Sequence, residues 1–228
     1  MPLEQCLCRD IFPELLRRLG EAPGIHLQKT AQKMASTACT LGAPQFSWEL
    51  YHLSREGETP EKVALYSGTE LRGVLSPGGG IRHLREASRG FVAVCSLGPS
   101  LEAEAENLQG RGNLLEAYLL TLGGNLLLDA ASRQAREKAR KLGEAEGLCP
   151  GPTLLPGSLR GWPPEEQELL LGLGSAEKLG VRYLPGGMLF PLQSLSFLIG
   201  LGSYLPDTPA ALCGECLRKE SCPWRRET

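Results

Sequence analysis

Residues 177–202 read EKLGVRYLPGGMLFPLQSLSFLIGLG. From Tyr183 to Pro206 the chain carries no charge over 24 residues, long enough to cross a bilayer as a helix. Pro185, Gly186, Gly187 and Pro191 break that run, and Gln193, Ser194 and Ser196 place polar groups inside it. Buried strands and turns accommodate those residues better than a membrane helix, so no membrane contact is expected. VRYL and LSFLIGLG read as two adjacent buried strands joined through 185–191.

Working outward, PPEEQELLLGLG before this stretch has the signature of a helix start, with early prolines and acids in the first turn. Cys149–Trp162, CPGPTLLPGSLRGW, has no periodic pattern and reads as a loop. A long helix is expected over about 113–142, with Leu115, Tyr118, Leu119, Leu122 and Leu126 as its apolar stripe and ASRQAREKARKLG as a solvated charged face. Gly123 and Gly124 inside it each cost roughly 1 kcal/mol against alanine, which points to close packing on a neighbour. FVAVCSLG (91–98), SWELYHL and KVALYSG read as strands, SPGGG (76–80) as a turn, and two helices precede them near 10–20 and 27–41. Helices, strands, helices, strands in that order argue for an α+β fold and against a doubly wound α/β sheet. The expected organisation is a helical segment at 1–45, an α+β core at 46–206 and a cysteine-rich basic tail at 207–228.

With 228 residues, 42% of them hydrophobic, and a net charge of -2, the chain can bury a sizeable core and offers no polyanion-binding surface. Nucleic acid is therefore not an expected partner. The N-terminus has acidic residues where a signal peptide needs an apolar run, so a cytoplasmic protein is expected. Thiols stay reduced there, and eight cysteines point to metal or redox chemistry before disulfides. Cys39 and Cys95 lie in apolar stretches and read as core residues. Cys213 and Cys216 have the two-residue spacing that lets both thiolates reach one metal, Cys222 adds a third, and Cys149 is the first candidate for a fourth, with Cys6 or Cys8 next. The single pair followed by Cys222-Pro223 favours an iron–sulfur cluster over zinc; a tail of idle thiols is the alternative. His26, His52 and His83 show no ligand spacing, and no catalytic nucleophile sits in a recognisable setting.

The opening stretch resembles the C-terminal part of the activation domain of vitamin B12-dependent methionine synthase in its stand-alone form. Met188, Pro191, Ser194 and Ser196 keep the family's spacing, PGSLRGWPPEEQELL resembles its Pro-Gly-Tyr-Gly-Asp-Trp-Pro loop, and VAVCSLGPSLEAEAENLQGRGNLLEAYLLTLGGNLLLDA its strand, turn and long helix. The resemblance implies a twisted antiparallel sheet flanked by helices. It also implies a role in reductive reactivation of a corrinoid protein or a short methionine synthase, with cobalamin carried by that partner and an electron donor nearby. S-adenosylmethionine would lie against Pro156, Gly157, Ser158, Arg160 and Tyr204. Thr153 and Ser158 stand where the family has the arginine and tyrosine of its ligand motif. A partner or scaffold that has given up S-adenosylmethionine is therefore the alternative. Stand-alone relatives also end in Cys-x-x-Cys…Cys-Pro.

Overall fold

The computed structural model describes residues 10–20, 23–55, 61–203 and 212–222. At its centre lies β4 (Ala87–Ser96), buried without a break from Gly90 to Ser96. Side chains alternate across a strand. Phe91, Ala93 and Cys95 therefore enter the core on one side, while Val92 and Val94 enter two smaller clusters on the other. Burial on both faces is why the sequence there is continuously apolar.

Around β4 the chain forms a six-stranded sheet in the order β3 (Glu70–Leu75), β2 (Val63–Ser67), β1 (Gln45–Ser54), β4, β8 (Ser194–Gly202), β5 (Cys149–Leu154). Every neighbouring pair is antiparallel. One face carries α1 (Ile11–Arg18), α2 (Ile25–Leu41), α3 (Ser100–Gly110) and the 32-residue α4 (Leu114–Ala145). The other carries the short α5 (Gln167–Leu173), whose Leu170 and Leu173 pack with Val92 and Leu198. The expected α+β fold, an antiparallel sheet flanked by helices, is the fold observed.

The spine of the larger core is α4. A β-carbon at Gly123 would lie 3.2 Å from that of Ala38 on α2, and one at Gly124 would overlap the Gln193 side-chain amide before β8. Both glycines are thus sites of close approach, as the sequence suggested. The expected stripe is partly displaced: Leu115 and Tyr118 are 43% and 60% exposed. The buried face instead runs through Ala117, Leu119 and Leu120 into Ala131, Ala135, Ala139 and Gly143. These small residues let the charged half of the helix lie close to the sheet while Arg133, Glu137 and Arg140 face outward. The helix is long and apolar enough to cross a membrane, yet 61% of its most apolar stretch is buried in this fold.

Three local expectations are corrected. Cys149–Leu154 is a strand, not a loop: among the described residues β5 is the sheet edge, pairing only with β8 and with a register shift between Pro150 and Thr153. Proline, which has no N–H to donate, is tolerated at an edge. Arg182–Leu184 (β6) pairs with Met188–Phe190 (β7) in a separate hairpin instead of lying beside β8. Gly186 and Gly187, at φ 84° and 79°, turn the chain back on itself. Cys39 is disulfide-bonded, not a plain core thiol.

Candidate ligand cavity

Thr153 on β5 is paired with Ile199 and Leu154 with Leu198. Ile199 belongs to the α4-side core and Leu198 to the opposite one. Thr153 therefore faces α4, and Leu155 packs against the same core. Past Leu155 the chain closes a tight loop. Gly157 N–H donates to Trp162 O at 2.9 Å, and Ser158 Oγ donates to Leu155 O at 2.7 Å. Trp162, 2% exposed, anchors the far end, its indole N–H donating to Glu166 Oε2 at 2.7 Å. The Glu166 carboxylate also accepts Ser76 N–H at 3.0 Å. SPGGG, the expected turn, opens a 3-10 helix (Gly78–Leu84) that braces this loop, with Gly79 N–H donating to Arg160 O at 2.8 Å.

The tail is strapped to the same loop. Cys216 bridges to Leu159 in antiparallel fashion, and Leu217 N–H donates to Ser158 O at 3.0 Å. Glu215 is ion-paired with Arg82 and lies 3.2 Å from His83 Nε2. Burial raises the Glu215 pKa, but the hydrogen bonds and charges of Arg82 and His83 outweigh it and hold the carboxyl below its ordinary 4.5.

Between α4, the edge strand and this strap lies a cavity of about 430 Å³. Its size is that of a small-molecule site. Leu195 and Phe197 of β8 form an apolar floor, with Leu155, Leu159 and Leu212 beside them. The α4 wall supplies Asn125, Asp129, Ser132 and Arg136, and α1 contributes Arg18. Arg136 Nη1 donates to Ser132 Oγ at 3.1 Å, and Asp129 pairs with Arg133 at 2.5 Å. Thr153 Oγ1 is buried with no hydrogen-bond partner among the described residues. A buried hydroxyl left unpaired costs roughly 1–3 kcal/mol, which a ligand acceptor would recover. Two guanidiniums, one carboxylate, an unpaired hydroxyl and an apolar floor suit a molecule with a flat apolar part and a zwitterionic end.

Of the residues expected to hold a ligand, Ser158 lines this cavity; Thr153, which stands at the family's arginine position, lines it as well. Pro156 and Gly157 line, with Ser158, the adjoining groove outside the loop, against Gly186, Gly187 and Met188. Arg160 is exposed and lines neither space; its carbonyl is what the structure uses. Tyr204 lies outside the described residues. The cavity's own basic groups, Arg18 at the end of α1 and Arg136 on α4, were missed, the latter because the second half of α4 reads as a solvated face. The four-spaced alanines 131, 135 and 139 are the signal that put Ser132 and Arg136 at the buried margin.

The proposed metal set is not assembled. Cys213 and Cys216 both line the cavity, but Cys149 sits at the opposite end of β5, paired with Gly202. Five residue steps along the strand separate it from Leu154, about 16 Å. Among the described residues no three of His, Cys, Asp and Glu converge as a metal site. Cys6 and Cys8 lie outside the described residues.

An edge-open antiparallel sheet with a one-sided cavity against a long helix defines the class of this domain as α+β. Among solved structures this arrangement matches the crystal structure of the MetH reactivation domain bound to AdoHcy, with a TM-score of 0.62 and 15% identity. The match covers 81% of this chain and 66% of that chain, so this chain spans a little under two thirds of its length. The relationship lies at the level of fold. No family model and no curated protein matches the sequence.

Proposed function

We propose that this protein is an accessory of cobalamin-dependent methyl transfer. In this reading it binds S-adenosylmethionine, or its product S-adenosylhomocysteine, in the α4–β5 cavity and docks on a corrinoid protein or a short methionine synthase. The observation that carries the reading is the cavity itself, in a chain that shares its fold with a domain whose structure contains AdoHcy. The residues fit the ligand class. Arg136 and Arg18 suit the α-carboxylate through charge-assisted bonds, Asp129 suits the ammonium or ribose hydroxyls, Thr153 supplies the missing hydrogen bond, and Leu195 with Phe197 suits the adenine face. S-adenosylmethionine supplies an activated methyl group; this chain's residues bind it, orient it and exclude water from it.

Calorimetric titration and thermal unfolding with S-adenosylmethionine, S-adenosylhomocysteine and adenosine test this. At a ligand concentration 100 times Kd the folded state gains about 2.7 kcal/mol. That corresponds to roughly 5–10 °C for a chain of this size. Absence of both heat and stabilisation removes the reading. A second reading is favoured by Thr153 and Ser158 standing where the resemblance calls for arginine and tyrosine: a scaffold that binds the corrinoid partner without the nucleoside. Sedimentation with a corrinoid protein in the absence of any S-adenosyl ligand distinguishes the two.

A further inference from the structure

Two of the cavity-lining residues have no role in the reading above. Cys213 and Cys216 are reduced thiols, partly buried, and both face the same space. They flank a 3-10 turn (Cys213–Glu215) in which Cys216 N–H approaches Cys213 O at 3.4 Å. A turn closed between residues i and i+3 keeps their Cα atoms within about 7 Å, the range a disulfide requires. Cys216 also lines the groove outside the loop, which exposes it from a second direction. The turn they flank is not a loose end: Glu215 fixes it to Arg82 and His83, and Cys216 and Leu217 fix it to Leu159 and Ser158 on the cavity loop.

We propose that Cys213 and Cys216 are a redox-active dithiol in the cavity wall, closing to an intramolecular disulfide with a small-molecule disulfide such as oxidised glutathione, and that this closure resets the strap formed by 212–217. The Cys216 thiolate attacks one sulfur of oxidised glutathione and expels one glutathione thiolate. The Cys213 thiolate then attacks the Cys216 sulfur of the mixed disulfide and expels the second. The two protein thiols lose two electrons and two protons, and one oxidised glutathione becomes two reduced molecules. The other described thiols lack this setting. Burial pushes Cys95 up to about 12, so it stays a thiol, while Cys149 lies at the far end of β5 and Cys222 lies beyond the strap.

The full chain is equilibrated in glutathione buffers of graded ratio, trapped with N-ethylmaleimide and mapped by peptide mass spectrometry. A Cys213–Cys216 disulfide should form first, reverse with dithiothreitol and persist in C149S and C222S. C213S should instead hold glutathione on Cys216. Amide exchange at Cys216 and Leu217 should change by about fivefold or more between the two states, a typical coupling between linked sites. Oxidation at Cys149 or Cys222 with the pair still reduced, glutathione on both thiols of the pair, stoichiometric zinc that blocks both, or unchanged exchange would each overturn the proposal. If oxidised and reduced protein both fail to bind S-adenosylhomocysteine, the ligand reading falls while the disulfide and exchange data still decide this one.

Discussion

Gly78 and Gly79 are neighbours in sequence and opposites in consequence. Gly78 has φ of +53°, and a β-carbon there would lie 2.5 Å from the Arg160 carbonyl oxygen, with the Gly161 carbonyl carbon closer still. Those are backbone atoms of the cavity loop, so they yield only if the loop moves. Gly78→Ala adds about 1 kcal/mol for the left-handed conformation, roughly 1–3 kcal/mol for overpacking, and about 1 kcal/mol if the Gly79–Arg160 hydrogen bond is lost. The sum, about 3–5 kcal/mol, corresponds to a melting temperature lower by roughly 6–20 °C. At Gly79 the new carbon would meet only Arg160 O at 3.4 Å, ordinary contact, so Gly79→Ala should stay within about 1 kcal/mol of the parent. Urea unfolding of both variants, read by the fluorescence of buried Trp162, measures the difference. Equal stability of the two variants would refute the claim that the 78–80 turn is wedged against the loop.

Arg136→Met should weaken S-adenosylhomocysteine binding by about 10–100-fold, the worth of a hydrogen bond to a charged group, whereas Arg160→Met, outside the cavity, should leave it unchanged; calorimetry of both checks this. Thr153→Val removes a buried hydroxyl that has no partner among the described residues, and should raise the stability of the ligand-free protein by roughly 0.5–1.5 kcal/mol, measured by thermal unfolding. The Glu215 carboxyl is held below 4.5, so its contribution is present above the unfolded value and is lost as pH falls through the lower folded value. Amide protection of 216–217 should therefore drop as pH is lowered below about 4.5, and Glu215→Gln should flatten that dependence.

The strands were legible where burial leaves a mark on composition. FVAVCSLG, KVALYSG and LSFLIGLG are apolar and branched because both sides of the sheet are covered, and they became β4, β2 and β8. CPGPTL left no such mark. Its prolines suppress a strand pattern, and only the neighbouring β8 edge makes it β5. The hairpin of β6 and β7 was misplaced because an apolar run shows that it is buried and not which strand it joins. In the cavity, Ser158 was reached through the loop resemblance, and Cys213 with Cys216 through their spacing. Arg136 and Arg18 were invisible for a different reason: periodicity separates inward from outward faces, but a cavity opens at the margin between them. Cys149, the expected fourth metal donor, failed on distance, a quantity that local spacing does not contain.

A backbone NMR titration of the full chain with S-adenosylhomocysteine tests whether the space between α4 and the 153–159 segment holds an S-adenosyl ligand. Saturable shifts clustered on Asn125–Arg136, Thr153–Leu159 and Cys213–Cys216 are the predicted result. No shifts at millimolar ligand, or shifts confined to the opposite, α5 face of the sheet, would contradict it.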